Sequence, residues 1–217
     1  MRRAIAAEFL GALLLTAAVV GSGIMGERLA GGNLAVALLA NTGATVAALA
    51  TLIAVFGPIS GAHFNPVVTM VARWRGELRT GQSLAYIVVQ IAGCCAGALL
   101  ANVMFELPAI QASTHVRTGG AQWISEVVAT VGLVYIAFSA PTISAASWRV
   151  PAWIGAAYWF TASTSFANPA ITLGRSLSDT FAGIRPADAP GFIAAQLVGA
   201  VLGALLLRCF AERRIPA

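Results

Sequence analysis

The stretch from residue 33 to residue 72 restricts the possible folds of this chain more than any other part of the sequence. His63 is its only titratable residue. A single helix of that length would extend for about 60 Å, roughly twice the thickness of the hydrocarbon core of a membrane. The chain must therefore cross once and then change direction. We expect Gly57-Pro58 to end the spanning helix and Asn65-Pro66 to begin a short helix inside the membrane.

The Asn-Pro pair recurs in the second half of the chain as Asn168-Pro169. Both pairs have a Ser five residues before the Asn and a Thr four residues after it. Asn is a favoured N-cap, and Pro is tolerated at the first helical position because its missing N–H would have no partner there. Backbone breaks at membrane depth only where protein or a water-filled cavity satisfies its polar groups. Two such helix starts predict a pore.

The composition agrees with a chain that lies almost entirely in the bilayer. Of its 217 residues 59% are hydrophobic and 10% are charged, against roughly 25% charged residues in a soluble domain. We therefore expect one membrane domain over residues 1–217. The basic pI comes from Arg alone, and nine of the thirteen Arg residues lie on one side when the amino terminus is placed inside. This bias predicts two cytoplasmic termini in an inner (plasma) membrane, and no nucleic acid partner.

Six apolar spans and two re-entrant short helices account for the chain. We place the spans at about 3–25, 33–57, 83–105, 123–139, 151–164 and 191–210. The segment 90–100 matches 196–206 at its Gln, at both Gly and at the closing Ala-Leu-Leu. This match predicts an all-α membrane protein built from two repeats, about 1–108 and 119–217. Three spans per repeat is an odd number, so the second repeat is inverted and the substrate site lies near the midplane.

The repeated Gly-x-x-x-Gly motifs, Gly93/Gly97 and Gly199/Gly203, predict close contacts between helices. They leave open whether the contacts lie within one subunit or between subunits. The three Cys residues lack metal-ligand spacing and are interpreted as small buried apolar residues.

Half-helices that enter from opposite faces bring their amino termini together in the middle of the membrane. Each such end carries about half a positive charge, which repels cations and hydronium. We expect Asn65 and Asn168 to offer their side-chain NH₂ groups to the oxygen of a passing solute. A water that accepts hydrogen bonds from both no longer supports a proton-conducting chain.

Ser60-Gly61-Ala62-His63-Phe64-Asn65-Pro66-Val67-Val68-Thr69 resembles the first signature of the major intrinsic protein superfamily, the aquaporins and aquaglyceroporins, with Val67 where Ala is usual. Asn168-Pro169-Ala170 is similar to the second signature without change. The resemblance implies an aquaporin-like fold, a homotetramer with one pore per subunit, and no cofactor or metal. It also implies that Glu8 and Glu126 brace the re-entrant loops. We interpret His63 as a packing residue of the first loop.

The family's outer constriction, its selectivity filter, usually contains an Arg directly after the second signature, and this chain has Ile171 there. The resemblance assigns Thr45 and Ser165 to the same filter. The loop before the second signature is short, so the fifth-span filter residue is uncertain, and we assign Ala162. Arg175, one helical turn beyond Ile171, either supplies a charge at the pore mouth or is a solvated helix-end residue. A bacterial subgroup associated with arsenic-resistance operons resembles this chain in lacking the filter Arg.

The sequence therefore predicts a passive channel for small neutral solutes: glycerol-like solutes, metalloid hydroxides such as arsenite, and water as a further candidate. One alternative is a strictly water-selective channel. A secondary active transporter is another, although Glu8 and Glu126 are the only acids within the spans. An adhesion or scaffold role would leave the intact Asn pair unused. The sequence contains no nucleophile–base set or metal cluster that would indicate an enzyme.

Overall fold

A computed structural model describes residues 1–210, and every regular element in that range is helical. In chain order the helices are α1 (Arg2–Leu29), α2 (Leu34–Ser60), α3 (Pro66–Trp74), α4 (Thr80–Met104), α5 (Gly120–Ser139), α6 (Ile143–Phe160), α7 (Pro169–Arg175) and α8 (Ala189–Phe210). A 3₁₀ turn at Pro186–Asp188 precedes α8. Arg213 and Arg214, two of the nine Arg residues assigned to the cytoplasmic side, lie outside the described residues.

Length and composition identify five membrane-spanning segments, namely α1, α2, α4, α5 and the segment Pro186–Phe210 that contains α8. The helix α6 has 18 residues and packs against α2 and α5, so it completes a set of six long helices in the described range. The helices α3 and α7 have only 9 and 7 residues. At 1.5 Å per residue each extends for about 10–14 Å, which is less than half of the hydrocarbon core.

The break between α2 and α3 lies slightly later than the sequence predicted. Pro58 is inside α2, in its last turn. A proline there removes one hydrogen bond without ending the helix. The helix ends instead at Gly61, which has a φ of 91° and donates its N–H to the carbonyl oxygen of Gly57 over 2.9 Å. This left-handed conformation costs little at glycine, which lacks a Cβ.

The predicted start of the fifth span, at Pro151, is wrong by eight residues. Helix α6 begins at Ile143, and Pro151 and Arg149 lie inside it. The hydroxyl oxygen of Thr142 caps the helix by accepting a hydrogen bond from the N–H of Ala145 over 3.0 Å. The cap lies in a polar stretch that the sequence analysis interpreted as a loop. The predicted end of this span, at residue 164, is also wrong, because α6 ends at Phe160.

The Gly-x-x-x-Gly motifs mediate contacts within one subunit. Gly93 packs on α1, where a Cβ would lie 2.5 Å from the carbonyl oxygen of Phe9. Gly199 packs on α5, where a Cβ would lie 2.7 Å from the carbonyl oxygen of Val127. The pairs α1–α4 and α5–α8 are the most extensive helix contacts within their respective halves. Because glycine has no side chain, the backbones of the paired helices can approach each other this closely.

The outside of the helix bundle is apolar. Large hydrophobic side chains that are more than half exposed include Leu39, Val55, Leu84, Val88 and Val201. Soluble monomers rarely expose contiguous apolar patches of more than a few hundred Å². In a bilayer these side chains face lipid or a neighbouring subunit. The polar groups with structural roles lie inside, around the two short helices.

Candidate functional site

Each short helix begins at an Asn that caps its first turn. The Oδ1 atom of Asn65 accepts a hydrogen bond from the N–H of Val67 over 3.0 Å. The Oδ1 atom of Asn168 accepts from the N–H groups of Ala170 and Ile171, over 2.9 and 3.2 Å. Pro66 and Pro169 are the first helical residues, as the motif predicts. The capping fixes both amide side chains at the amino-terminal ends of the helices.

The two helix starts are joined to each other by reciprocal hydrogen bonds. The Nδ2 atom of Asn65 donates to the carbonyl oxygen of Ala167 over 2.8 Å, and that of Asn168 donates to the carbonyl oxygen of Phe64 over 2.9 Å. Each NH₂ group therefore uses one N–H to hold the opposite loop and retains the other. The expectation that both N–H groups of each amide are offered to a passing solute is therefore wrong by one donor on each side. The positive ends of both helix dipoles meet here.

The loops before the two helices have the same unusual backbone. Ala62 and Phe64 have φ values of 50° and 49°, and Ser165 and Ala167 have values of 52° and 47°. These residues are three and one positions before the Asn in each loop. Non-glycine residues in this region cost about 1–3 kcal/mol each, so the surrounding structure must hold them.

Glu8 holds the first loop. It is fully buried and its carboxylate accepts hydrogen bonds from the Ser60 hydroxyl (2.6 Å), the N–H of His63 (3.0 Å), the N–H of Phe64 (2.7 Å) and the Nε2 of Gln90 (2.7 Å). Four donors compensate the cost of burying this charge. The carboxylate thus positions the backbone that precedes Asn65.

Glu126 holds the second loop in the corresponding way. Its carboxylate accepts from the N–H groups of Phe166 (2.9 Å) and Ala167 (2.8 Å) and from the Nε2 of Gln196 (2.7 Å). Gln90 and Gln196 are functional residues that were not predicted from the sequence. The signal was present, because the first position of the repeat match is this Gln. Neither carboxylate is on the cavity described next.

His63 lies in the first loop and contacts both the loop scaffold and the cavity. Its Nδ1 atom lies 3.1 Å from the hydroxyl oxygen of Thr69, which in turn accepts from Gln90 over 2.9 Å. The ring packs edge-on against Tyr86, with 5.7 Å between the ring centroids. These contacts favour a packing role, although one side of the residue faces the lumen.

A cavity of about 420 Å³ is lined by both Asn65 and Asn168. One end is lined by Arg75 and Glu77, beyond the carboxyl end of α3, and the other by Arg175 at the carboxyl end of α7. These two ends are called the Arg75 end and the Arg175 end. Because α3 and α7 start together and point apart, the cavity follows both half-helices from one side of the bundle towards the other. Most of its remaining wall is apolar, with Leu15, Val19, Leu49, Ile53, Leu133 and Val150 among the lining residues.

The lining towards the Arg175 end combines polar and apolar side chains. Thr45, Ser165 and Ile171 line the cavity, as does Tyr158 from α6. The hydroxyl oxygens of Thr45 and Tyr158 lie 3.4 Å apart. The hydroxyl of Ser165 is buried and has no hydrogen-bond partner among residues 1–210.

Arg175 is buried, with 2% of its surface exposed, and is therefore not a solvated helix-end residue. Its Nε donates to the carbonyl oxygen of Ala182, and its guanidinium carbon lies 3.4 Å from the centroid of the Phe166 ring. Arg117 lies over the same ring at 5.2 Å and donates from its Nε to the carbonyl oxygen of Gly183 over 2.8 Å. Only Arg175 of the two is on the cavity.

Comparison with known proteins identifies the architecture. The family model described as major intrinsic protein matches residues 1–160 and 142–216. The chain belongs to this family. It is a multi-pass membrane channel for small solutes and not an enzyme, as the sequence analysis predicted.

Individual relatives agree with the family assignment. An aquaglyceroporin of Rhizobium meliloti, AqpS, is 51% identical over all of this chain and 93% of the relative. A probable aquaporin of Oryza sativa, TIP1-1, is 32% identical over 63% of this chain and 56% of the relative. The X-ray structure of the aquaglyceroporin from Plasmodium falciparum superposes with a TM-score of 0.75 over 97% of this chain and 96% of that chain, at 19% identity. The all-helical, aquaporin-like fold is thereby confirmed.

The unusual Val67 of the first signature does not face the lumen. It is fully buried and clusters with Val71 of α3, Val134 of α5, and Ala200 and Ala204 of α8. The larger side chain is accommodated by alanines on the facing helix. The replacement of Ala by Val in this signature is therefore a packing feature behind the pore wall.

Ala162 is not on the cavity, in contrast to its assignment as a filter residue. It is exposed, and its N–H donates to the Ser125 hydroxyl over 3.0 Å. Tyr158, one helical turn earlier, lines the lumen from α6 instead. The predicted span continued to residue 164, whereas α6 ends at Phe160, so Ala162 lies in the loop beyond the helix. A tyrosine in an apolar span was the available signal.

Proposed function

We propose that this channel conducts small uncharged solutes of the size of glycerol by passive diffusion, together with water and neutral metalloid hydroxides such as arsenite. The cavity carries the proposal, because it extends past both half-helix starts and has apolar walls with a few polar groups. A neutral polyol needs such a lining: its carbon side faces the apolar wall and its hydroxyl groups face the donors. The AqpS relative, named an aquaglyceroporin, supports this solute class.

We assign the exclusion of charged solutes to the amino-terminal ends of α3 and α7. Asn65 and Asn168 each retain one N–H for a solute oxygen, and both helix dipoles present their positive ends at the same place. A cation would lose its hydration there without gaining an acceptor. Protons are excluded for the same reason, because the donors orient water away from a continuous hydrogen-bonded chain.

We assign the limit on solute width to a constriction at the Arg175 end of the cavity. We take this end as the outer end of the channel. Thr45, Ser165 and Ile171 contribute short or apolar side chains to the wall. The position directly after the second signature carries no charge. The constriction then accepts solutes larger than water, which distinguishes this channel from the water-selective alternative.

A coupled transporter would normally need an acid on the solute path within the membrane core. The acid that lines the cavity in residues 1–210, Glu77, lies instead at the Arg75 end and is ion-paired with Arg75 over 2.6 Å. Glu8 and Glu126 are the acids within the bundle core, and their oxygens accept four and three hydrogen bonds away from the lumen. Protonation of either would leave its backbone donors without a charged acceptor. Both carboxylates are therefore structural, and the passive mechanism is favoured.

The proposed assembly is a homotetramer in an inner (plasma) membrane, with both termini cytoplasmic. The exposed apolar helix faces support burial in lipid and against other subunits, and the Arg distribution supports the orientation. Within each subunit we treat residues 1–217 as one channel domain with repeats at about 1–108 and 119–217. Equivalent positions of the two carboxylates and the two Asn residues support this division.

Stopped-flow light scattering on proteoliposomes tests the proposal. Water, glycerol and arsenite are applied separately, with and without an imposed proton or sodium gradient, and protein-free liposomes serve as the control. We expect rapid flux of all three solutes at rates that do not depend on the ion gradient. Flux of water alone would support the water-selective alternative. Solute flux that requires the ion gradient would replace the channel mechanism by a transporter.

A further inference from the structure

We propose that Arg175 and Ser165 form a docking site for polyhydroxy solutes at the outer constriction, with Arg175 as the charged donor that position 171 lacks. This inference rests on the proposed function, since it names the residues that select the solute. Both side chains are buried, with 2% of their surface exposed, and both line the cavity.

The guanidinium of Arg175 is held rigidly, yet part of it remains free. Its Nε is bound to the carbonyl oxygen of Ala182, and its plane rests on the Phe166 ring. Phe166 is itself fixed, because its N–H donates to Glu126 and its ring packs edge-on against Phe192 at 5.0 Å. The terminal nitrogens make no hydrogen bond to residues 1–210. The four N–H groups on these nitrogens therefore have no acceptor among the described residues, and the side chain to which they belong lines the cavity.

No carboxylate neutralises this buried cation within the described part of the chain, where the ion pairs are Arg75–Glu77 and Arg185–Asp188. Burying an unpaired charge costs several kcal/mol. Charged groups within membrane proteins usually face a water-filled cavity and have a functional role. The position of Arg175 on the cavity agrees with a role in binding the solute.

The position of Arg175 on α7 explains how it acts in place of residue 171. Residues four apart lie on the same face of a helix, so Ile171 and Arg175 both face the lumen. Arg175 is about 6 Å further from the Asn pair along the helix axis. The donors are thus moved outward, and the narrow part beside Ile171 remains uncharged. A solute is bound first and then passes an apolar wall.

Ser165 supplies the second point of contact. Its hydroxyl is the one polar side-chain atom among the cavity-lining residues in 1–210 that is buried without a partner. The residue is held at a φ of 52°, and its N–H donates to the Ser163 hydroxyl over 3.1 Å. A buried hydroxyl without a partner costs about 1–3 kcal/mol unless a solute or water satisfies it. Guanidinium donors and a hydroxyl suit a neutral solute with at least two oxygens.

The test compares the ratio of glycerol permeability to water permeability in the full-length protein and its variants. This ratio does not depend on how much active protein is reconstituted. For Arg175→Met we expect the ratio to fall about tenfold, because charge-assisted hydrogen bonds to the polyol are lost. Arg175→Lys retains the charge without the planar fork and should recover part of the ratio. Arg117→Met is the matched control, because Arg117 flanks Phe166 but is not on the cavity.

Ser165→Ala removes the second contact with little risk to folding, and we expect a fall of about fivefold in the ratio. If folded Arg175→Met has an unchanged or increased ratio of glycerol to water permeability, the docking site is overturned. The Arg175 side chain would then either have no effect on glycerol permeation or hinder it. If Arg175→Met fails to fold, an unchanged ratio in Ser165→Ala overturns it instead. A wild-type protein that conducts water but no polyol overturns the proposed function as well. The two failures are therefore distinguishable.

Discussion

The hydroxyl oxygens of Thr45 and Tyr158 lie 3.4 Å apart and join α2 to α6 on the cavity wall. Tyr158 is 3% exposed, and its ring occupies space that a smaller residue would leave to the solute. The contact therefore limits the width of the channel from one side. The helices that it joins, α2 and α6, are the second long helices of the first and the second repeat.

Tyr158→Ala should raise the size limit of the channel. Removal of the ring enlarges the lumen between α2 and α6, so solutes longer than glycerol, such as erythritol and xylitol, should pass more rapidly. Stopped-flow measurements with a series of polyols of increasing length check this expectation. Tyr158→Phe is the control, because it retains the ring and removes only the contact with Thr45. An identical size limit in Tyr158→Ala and the wild type would show that the constriction lies elsewhere.

Ile171→Arg should suppress the flux of larger solutes. The new guanidinium would occupy the narrow part of the cavity beside the Asn pair, one turn from the charge of Arg175. We expect glycerol and arsenite flux to fall about tenfold or more while water flux falls less, since water needs less width. Ile171→Val controls for repacking of α7. Unchanged flux of both solutes in the Arg variant would count against the assignment of Ile171 to the filter.

Local sequence chemistry was sufficient to predict the half-helices. Asn65-Pro66 and Asn168-Pro169 determine where α3 and α7 begin because capping and the missing proline N–H act within a few residues. The exact end of α2 depends on Gly61, whose left-handed conformation was not predicted from the Gly57-Pro58 pair. The signal was local, because a glycine that follows an apolar helix is a common C-cap, but the preceding Gly57-Pro58 pair was taken as the break instead.

The outer constriction was harder to predict because it is formed by contacts between distant segments. Tyr158 was missed because the fifth span was predicted to continue to residue 164, whereas α6 ends at Phe160 and leaves Ala162 in the following loop. The burial of Arg175 depends on Phe166 and on Ala182, which follows α7 in a loop. Neither the ring position nor the loop path follows from residue spacing. The sequence placed the charge near the mouth and left its environment open.

Glu8→Gln should destabilise the protein substantially. The carboxylate accepts four hydrogen bonds, and a Gln has one acceptor oxygen and an NH₂ group that would face backbone donors. We expect a loss of about 2–4 kcal/mol in the free energy of unfolding. Thermal unfolding in detergent measures the change. Glu126→Gln should cost somewhat less, because three donors are affected, and Glu27→Gln on the exposed surface should cost almost nothing.

Gly97→Ala should disrupt the packing of α1 on α4. A Cβ at this position would collide with the carbonyl oxygen of Leu13 and lie 3.0 Å from the backbone nitrogen of Ala17. Two backbones cannot separate locally without losing contacts along both helices, so we expect a clear decrease in the unfolding temperature. Gly81→Ala in the same helix is the matched control, since no heavy atom lies within 4 Å of the added Cβ. Equal stability of the two variants would contradict the tight-packing interpretation.

Lowering the pH should weaken the contact between the segment that connects the two repeats and the loop that follows α7. Asp179 accepts hydrogen bonds from the N–H and the hydroxyl of Thr114, over 2.7 and 2.9 Å, and these bonds hold the pKa of its carboxyl below the ordinary value of 3.8. Since the folded-state pKa is depressed, the contribution to stability is complete above about pH 3.8 and is lost as the pH falls through the folded value. The protection of the Thr114 amide, measured as its exchange rate relative to the intrinsic rate at the same pH, should fall over that range. In Asp179→Asn the exchange should be faster at neutral pH and should lose this acid step, and a retained step would assign the titration to another group.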